Sequence, residues 1–195
     1  MWRALYPIFR FARFGVSPAV ALCSLAESWV GTGEKGQNQG TEVEHWIKLG
    51  GGNPSQAPPW CAYFVSAMCA TVERVGLPVS YTKTGRAVGH WQLAEPEQRI
   101  ERDAIDTVAD VRGLVFVRTR LSKPASDRDR ALLGRRTQGH TGIVLRREGL
   151  ELVCVAGNST GEGHASRTGG VAIERLKPGS PQWDRVVGFV RVAAP

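Results

Sequence analysis

The hydrophobic period of the chain changes near residue 111, and this change constrains the possible folds more than any other feature. Before it, apolar residues recur at helical spacing in segments that begin near Ser17, Thr41, Cys61 and Arg86. At the second of these, Thr41 with Glu44 predicts a capping box. After it, short apolar runs bounded by turn residues predict strands at 114–118, 141–146, 150–155, 170–175 and 186–192. Helices followed by strands favour an α+β domain, with N-terminal helices packed on a C-terminal antiparallel sheet.

Length and composition set wide limits on what the protein binds. The 195 residues fit one domain with a full core, and a net charge of +7 suits an anionic partner such as nucleic acid, anionic lipid or bacterial wall polymer. No apolar run reaches the ~18 residues of a membrane-spanning helix, so we expect no transmembrane segment. The four cysteines and four histidines show no metal-site spacing. We therefore expect neither a metal nor another cofactor, and we interpret Cys23, Cys69 and Cys154 as buried apolar thiols.

The N-terminus has two interpretations. Residues 1–16 form a basic and aromatic extension, and residues 16–26 resemble the apolar part of a signal peptide. However, Ser17 and Pro18 fit the N-cap and first position of a helix. We therefore favour an uncleaved chain whose residues 17–195 form one catalytic domain, and we leave its export route open.

A cysteine at a predicted helix start is the strongest chemical signal. Pro58 and Pro59 hold the chain extended, and Cys61 then opens an apolar run with helical spacing. Free N–H groups and the positive end of the helix dipole favour a thiolate at such a position. Cys61 is therefore a candidate nucleophile, provided that a base lies elsewhere in the chain.

His140 is the candidate base. Unlike His45, His90 and His164, it follows a glycine and begins an apolar strand, where its ring can face a helix N-terminus. Asn158 follows on the next predicted strand, although Gly-Asn-Ser is also ordinary turn sequence. The order Cys61, His140, Asn158 gives nucleophile, base and orienting group, as in papain-like enzymes.

These motifs resemble the CHAP family (cysteine, histidine-dependent amidohydrolases/peptidases), over roughly residues 17–192. The resemblance rests on Trp60-Cys61-Ala62, on Gly139-His140-Thr141-Gly142, on the segment from Glu34 to Gly40 and on two strand motifs, 112–117 and 186–191. Two positions depart from the family pattern. Leu114 replaces a usual Asp, and Ala156 replaces the Glu that some members carry two residues before the Asn.

The resemblance implies a papain-like fold and a peptidoglycan hydrolase that cuts an amide bond through a thioacyl-enzyme. The bond is either that between N-acetylmuramic acid and L-alanine or one within the peptide stem or cross-bridge. Cys61, His140 and Asn158 would be catalytic, and Trp60, Gln56 and Trp91 would bind substrate. Gln56, five residues before the nucleophile, is also a candidate second oxyanion donor.

Other roles stay open at this point. The same fold without activity would be a wall-binding or partner-binding module. The basic loop at 119–139 lacks interleaved aromatic residues, so we expect no nucleic-acid binding. Three biological roles are compatible with this sequence: a phage endolysin, a bacterial wall hydrolase and a toxin delivered to rival cells. A toxin of this kind would need an immunity protein. Each would act on the wall, in the periplasm or outside the cell. Wall affinity is assigned to the extension and to Arg128, Arg130, Arg135 and Arg136.

Overall fold

The structure, a computed structural model, describes residues 15–120, 138–163 and 168–194. Within these ranges the helices are α1 (Pro18–Glu27), α2 (Thr41–Leu49), α3 (Cys61–Arg74), α4 (Ala87–Gln92) and α5 (Pro181–Asp184). Short 3-10 turns lie at Pro54–Gln56, Pro96–Gln98 and Arg102–Thr107. His164, residues 1–14 of the predicted extension and the four arginines assigned to wall affinity (Arg128, Arg130, Arg135, Arg136) lie outside the described residues.

Six antiparallel strands form one sheet in the order β1-β6-β2-β3-β4-β5. They are β1 (Arg99–Glu101), β2 (Leu114–Thr119), β3 (Gly139–Glu148), β4 (Glu151–Ser159), β5 (Gly170–Leu176) and β6 (Val186–Arg191). The predicted α+β class with an antiparallel sheet is confirmed. The short β1 was not predicted, because three residues are too few to show a period and β1 pairs only with the distant β6.

Two helix starts follow from local sequence, and one prediction fails. The Ser17 hydroxyl accepts a hydrogen bond from the Val20 N–H at 3.3 Å with Pro18 at the first position, and α3 begins at Cys61, both as predicted. The predicted capping box of Thr41 with Glu44 is wrong. Thr41 already lies inside α2, and Gly40, which has no side chain, is the N-cap.

The two faces of the sheet carry separate hydrophobic clusters. One face packs against the four N-terminal helices and includes Val115, Ile143 and Val155. The opposite face carries a smaller cluster that includes Phe116, Cys154 and Leu176. Because strand side chains alternate between faces, the neighbours of these residues two positions along each strand share their face. Arg118, His140 and Glu174 consequently belong to the polar end of the second face.

The described part of the chain contains no helix with both the length and the apolar character that crossing a membrane requires.

Candidate active site

Cys61 is the first residue of α3, and its side chain is only 5% exposed. The backbone N–H groups of Ala62 and Thr141 both lower the pKa of its thiol. Its own N–H belongs to the first helical turn, where backbone donors have no partner within the helix. The sequence therefore places a thiol among donors that stabilise negative charge.

A glycine in β4 allows the start of α3 to approach the sheet. A Cβ atom at Gly157 would lie 2.5 Å from the Trp60 ring and 2.8 Å from the Phe64 side chain, closer than real contacts allow. Trp60 in turn stacks on Trp46, with the ring centroids 5.2 Å apart. This packing fixes the residue before Cys61, and with it the position of the thiol.

His140, the second residue of β3, lies between Cys61 and a carboxylate. Its Nε2 is 2.8 Å from Oε1 of Glu174 in β5. The Cys61 thiol interacts with the same imidazole, and Nδ1 is the ring nitrogen that Glu174 leaves available for it. The structure thus brings together Cys61 and His140, as the sequence predicted, and adds Glu174.

Glu174 is itself held by its neighbours. Its Oε1 also accepts a hydrogen bond from the Ser159 hydroxyl at 2.6 Å. Its Oε2 lies 3.0 Å from Nη2 of Arg118, a contact between charges without hydrogen-bond geometry. Arg118 stands opposite His140 in the β2–β3 register. Hydrogen bonds therefore hold one oxygen of the Glu174 carboxylate, and the positive charge of Arg118 lies against the other oxygen.

The assignment of Asn158 as the group that orients His140 is wrong in this structure. The Asn158 side-chain amide instead donates to Oδ1 of Asn38 at 3.3 Å, while Glu174 occupies the position against the ring. The strand register explains why a carboxylate from β5 can contact the His140 ring. Ala156 stands opposite Ala172, two residues before Glu174, so a carboxylate at 156 or at 174 would project from the same face.

Sequence reasoning missed Glu174 because strand pairing is not visible in a single chain segment. The available signal was the alternation of Ala172, Glu174 and Leu176, in which a carboxylate occupies a position of the buried face. A buried carboxylate needs a partner, and the pairing of β5 with β4 brings it within reach of β3.

The thiol and the imidazole shift each other's proton affinity. Burial raises the pKa of Cys61, but the hydrogen bond and positive charge of His140 and the two backbone donors outweigh it, so the pKa is below its ordinary value. Burial lowers the pKa of His140, yet the charge of Glu174 and the contact with Cys61 raise it to about 9. The arrangement favours transfer of the thiol proton to the imidazole, which gives a thiolate–imidazolium pair.

Glu174 stays ionised under all ordinary conditions. Burial raises the pKa of this carboxyl, but the charge and hydrogen bond of His140, the charge of Arg118 and the hydrogen bond from Ser159 lower it to about 2. A negative charge therefore faces Nε2 and leaves Nδ1 available to the sulfur.

The other cysteines are unreactive by the same physical criteria. All are free and buried, which confirms their interpretation as buried thiols. Burial raises the pKa of Cys23 and of Cys69 to about 12, and burial with the nearby Glu174 charge raises the pKa of Cys154 well above its ordinary value. Cys61 alone among them has a lowered pKa.

Two of the predicted substrate-binding residues belong to the core. Trp60 is completely buried, stacked on Trp46, and donates its indole N–H to Oε2 of Glu34 at 3.2 Å. Trp91 is 6% exposed and packs against Gly188 beneath the Arg99 guanidinium. Both predictions are wrong because the aromatic faces are used for packing.

Gln56, the third of these residues, is exposed and ends a 3-10 turn. Its own backbone N–H donates to the Asn53 carbonyl at 3.2 Å. No hydrogen bond joins its side chain to the site within the described residues, and its assignment as an oxyanion donor stays a prediction.

The Glu34–Gly40 segment is hydrogen-bonded to the residues that precede Cys61. Glu34 accepts hydrogen bonds from the Asn38 and Gly169 backbone N–H groups, each at 2.8 Å. Asn38 donates to the Ala57 carbonyl at 3.0 Å and accepts from Asn158. Asn38, Ala57 and Asn158 have φ values of 57°, 44° and 55°, the left-handed region that side chains other than glycine seldom adopt. Such strain persists only where surrounding contacts impose it, and it concentrates at functional sites.

No protein-family model, no curated protein and no solved structure matches this chain. The geometry of Cys61, His140 and Glu174 and the motifs in the sequence are therefore the features that indicate a function.

Proposed function

We propose that the protein is a cysteine amidohydrolase with a papain-like, CHAP-type catalytic domain. The observation that carries this proposal is the arrangement of Cys61, His140 and Glu174, in which a carboxylate contacts the imidazole that interacts with a thiol at a helix N-terminus. Nucleophile, base and orienting group in this arrangement are what acyl transfer by a cysteine enzyme requires.

In the first half of the reaction, the Cys61 thiolate attacks the carbonyl carbon of an amide and forms a tetrahedral intermediate. Protonated His140 gives its Nδ1 proton to the amide nitrogen, the C–N bond breaks, and the amine leaves. The product is a thioester between the acyl group and the Cys61 sulfur. Glu174 stabilises the imidazolium throughout but keeps its own charge, because its pKa is about 2.

In the second half, neutral His140 takes a proton from water as the water oxygen attacks the thioester carbonyl. The C–S bond breaks, the carboxylic acid leaves, and the thiolate–imidazolium pair is restored. The Cys61 backbone N–H, free at the first turn of α3, is the proposed oxyanion donor in both halves. One such donor typically contributes about 2.7–4 kcal/mol to transition-state stabilisation.

The proposed substrate is peptidoglycan. The sequence resemblance to CHAP wall hydrolases supports it, and so does the net charge of +7, which suits an anionic wall. Both amidase and endopeptidase activity fit the site, since each cuts an amide through the same acyl-enzyme. The proposed place of action is the bacterial wall, in the periplasm or outside the cell.

The direct test is muropeptide release from purified sacculi by wild type and Cys61→Ala. We expect release by wild type only, and the new end group identifies the bond. Cys61→Ser serves as a second variant, because it keeps the size of the side chain while replacing the sulfur by a much weaker nucleophile. Full release by Cys61→Ala would contradict the proposal.

One observation favours the alternative of an inactive binding module on the same fold. Cys61 and His140 are each only 5% exposed, so little of either group is open to solvent. The two functions differ in thiol chemistry. An inactive module binds sacculi equally well with and without the Cys61 sulfur and releases no muropeptides.

A further inference from the structure

A cavity of about 470 Å³ is lined by the His140–Glu174 pair, and Cys61 itself is not among its lining residues. The ends of β2, β3 and β4 and the residues around α5 form its walls. Its lining contains three arginines, Arg118, Arg120 and Arg185, and a single carboxylate, Glu174. A polar cavity with this charge, next to a candidate catalytic imidazole, is a candidate substrate subsite.

The arginines outnumber the carboxylates that neutralise them. Arg118 is paired with Glu174 at 3.0 Å, and Glu174 is further occupied by His140 and Ser159. Arg120 and Arg185 form no ion pair with any carboxylate of the described residues. The arginine that contacts Glu174 is Arg118. The cavity thus has an excess of positive charge that an anionic ligand would neutralise.

We propose that this cavity binds a carboxylate of the substrate through Arg120 and Arg185. The inference rests on the proposed function and narrows it, because the preferred substrates become amides that carry a free carboxylate near the scissile bond. Guanidinium groups bind carboxylates in a planar fork with charge-assisted hydrogen bonds, which gives both affinity and orientation.

The test compares acidic and neutral alkylating reagents of the same length at Cys61. The reagents are the N-iodoacetyl derivatives of glycine, β-alanine and γ-aminobutyrate, each beside its carboxamide, and peptide mass spectrometry identifies the alkylated cysteine. For each pair we take the ratio of the acid rate to the carboxamide rate. In wild type we expect this ratio, at one spacer length or more, to exceed that of Arg120→Gln/Arg185→Gln by about tenfold.

A further variant separates the subsite from general charge. Arg74→Gln removes an exposed arginine at the other end of α3, about 20 Å from Cys61, and is expected to keep the wild-type ratio. Thermal melts monitored by circular dichroism verify that all variants are folded.

The outcomes distinguish the subsite from the nucleophile. A difference between wild type and the double variant below about threefold at every spacer length overturns the carboxylate site, even if Cys61 reacts rapidly with the neutral carboxamides. If wild-type Cys61 does not react with the carboxamides at all, the proposed nucleophile fails, and the substrate site that rests on it fails as well.

Discussion

His140 and His90 are both 5% exposed, and both lie against the first turn of α3. His140 contacts the Cys61 thiol, and Nε2 of His90 lies 3.4 Å from the Ala62 carbonyl. Burial lowers the pKa of His90 to about 4, whereas Glu174 and Cys61 overcome burial and raise the pKa of His140 to about 9. Burial alone makes a neutral structural histidine, and the carboxylate makes a charged one that can transfer protons.

The same contrast applies to the cysteines. Cys61 and Cys69 lie two turns apart on α3 and are both buried, but burial raises the pKa of Cys69 to about 12. Only Cys61 has a histidine and two backbone donors to stabilise its thiolate. The position at the helix start matters because it exposes N–H groups that Cys69, in the middle of the helix, does not have.

The strongest test of this comparison removes each histidine in turn. His140→Gln should slow alkylation of Cys61 by iodoacetamide at neutral pH by about 10²-fold or more, since the thiolate loses its counter-charge. His90→Gln, which keeps a donor for the Ala62 carbonyl, should change the rate by less than about threefold. Second-order alkylation rates of the two variants provide the measurement. Similar losses in both would show that the two buried histidines do not differ in role.

Removing the carboxylate should make His140 behave like His90. In Glu174→Gln we expect the pKa of His140 to fall, because its largest favourable interaction is lost while burial remains. Cys61 alkylation should slow by about 10- to 100-fold at neutral pH. In the plot of alkylation rate against pH, the transition at alkaline pH should move to lower pH. Glu148→Gln, at an exposed hairpin end, is the matched control and should leave the pH profile in place. An unchanged profile in Glu174→Gln would refute the role of this carboxylate.

The two histidines should also have opposite effects on stability as a function of pH. The pKa of His140 is raised to about 9, so its contribution is complete below its ordinary value of 6.5 and is lost as pH rises towards 9. The pKa of His90 is lowered to about 4, so its contribution is present above 6.5 and is lost as pH falls towards 4.

Urea unfolding in the Cys61→Ala background, which removes the titrating thiol, measures these contributions. His140→Gln should flatten the alkaline decline in the free energy of unfolding by roughly 1–2 kcal/mol, and His90→Gln should flatten only the acid decline. Parallel curves for the two variants at alkaline pH would contradict the raised pKa of His140.

The smallest effect is expected at Asn158. Asn158→Gly keeps the left-handed backbone accessible and removes only the amide that contacts Asn38. Both limbs of the pH profile of Cys61 alkylation should stay within about 0.3 pH units of wild type. A shift as large as that of Glu174→Gln would restore Asn158 as the orienting residue.

The sequence was sufficient where the determining contacts are local. The starts of α1 and α3 follow from Ser17-Pro18 and from Pro59-Trp60-Cys61, and His140 follows from a histidine that opens an apolar strand after glycine. In each case, a few neighbouring residues set the backbone conformation. The same local logic failed at Thr41, where the preceding glycine moved the helix boundary by one residue.

The sequence was insufficient where distant strands and packing decide. Glu174 reaches His140 only because β5 pairs with β4 and β4 with β3, a register that no local pattern reveals. Trp60 and Trp91 were expected to face substrate, since aromatic residues near a site often do, but here both fill the core. Whether a particular aromatic side chain is buried depends on which distant residues the fold packs against it.

The central claim is that Cys61 and His140 form a thiolate–imidazolium pair held by Glu174. The most direct measurement is the rate of Cys61 alkylation by iodoacetamide from about pH 5 to about pH 10, with the modified residue identified by mass spectrometry. We predict a reactive thiolate at pH values below the ordinary thiol pKa of 9.0, with a second transition near pH 9 where His140 loses its proton. A single transition at or above pH 9, with the same midpoint in Glu174→Gln, would contradict the claim.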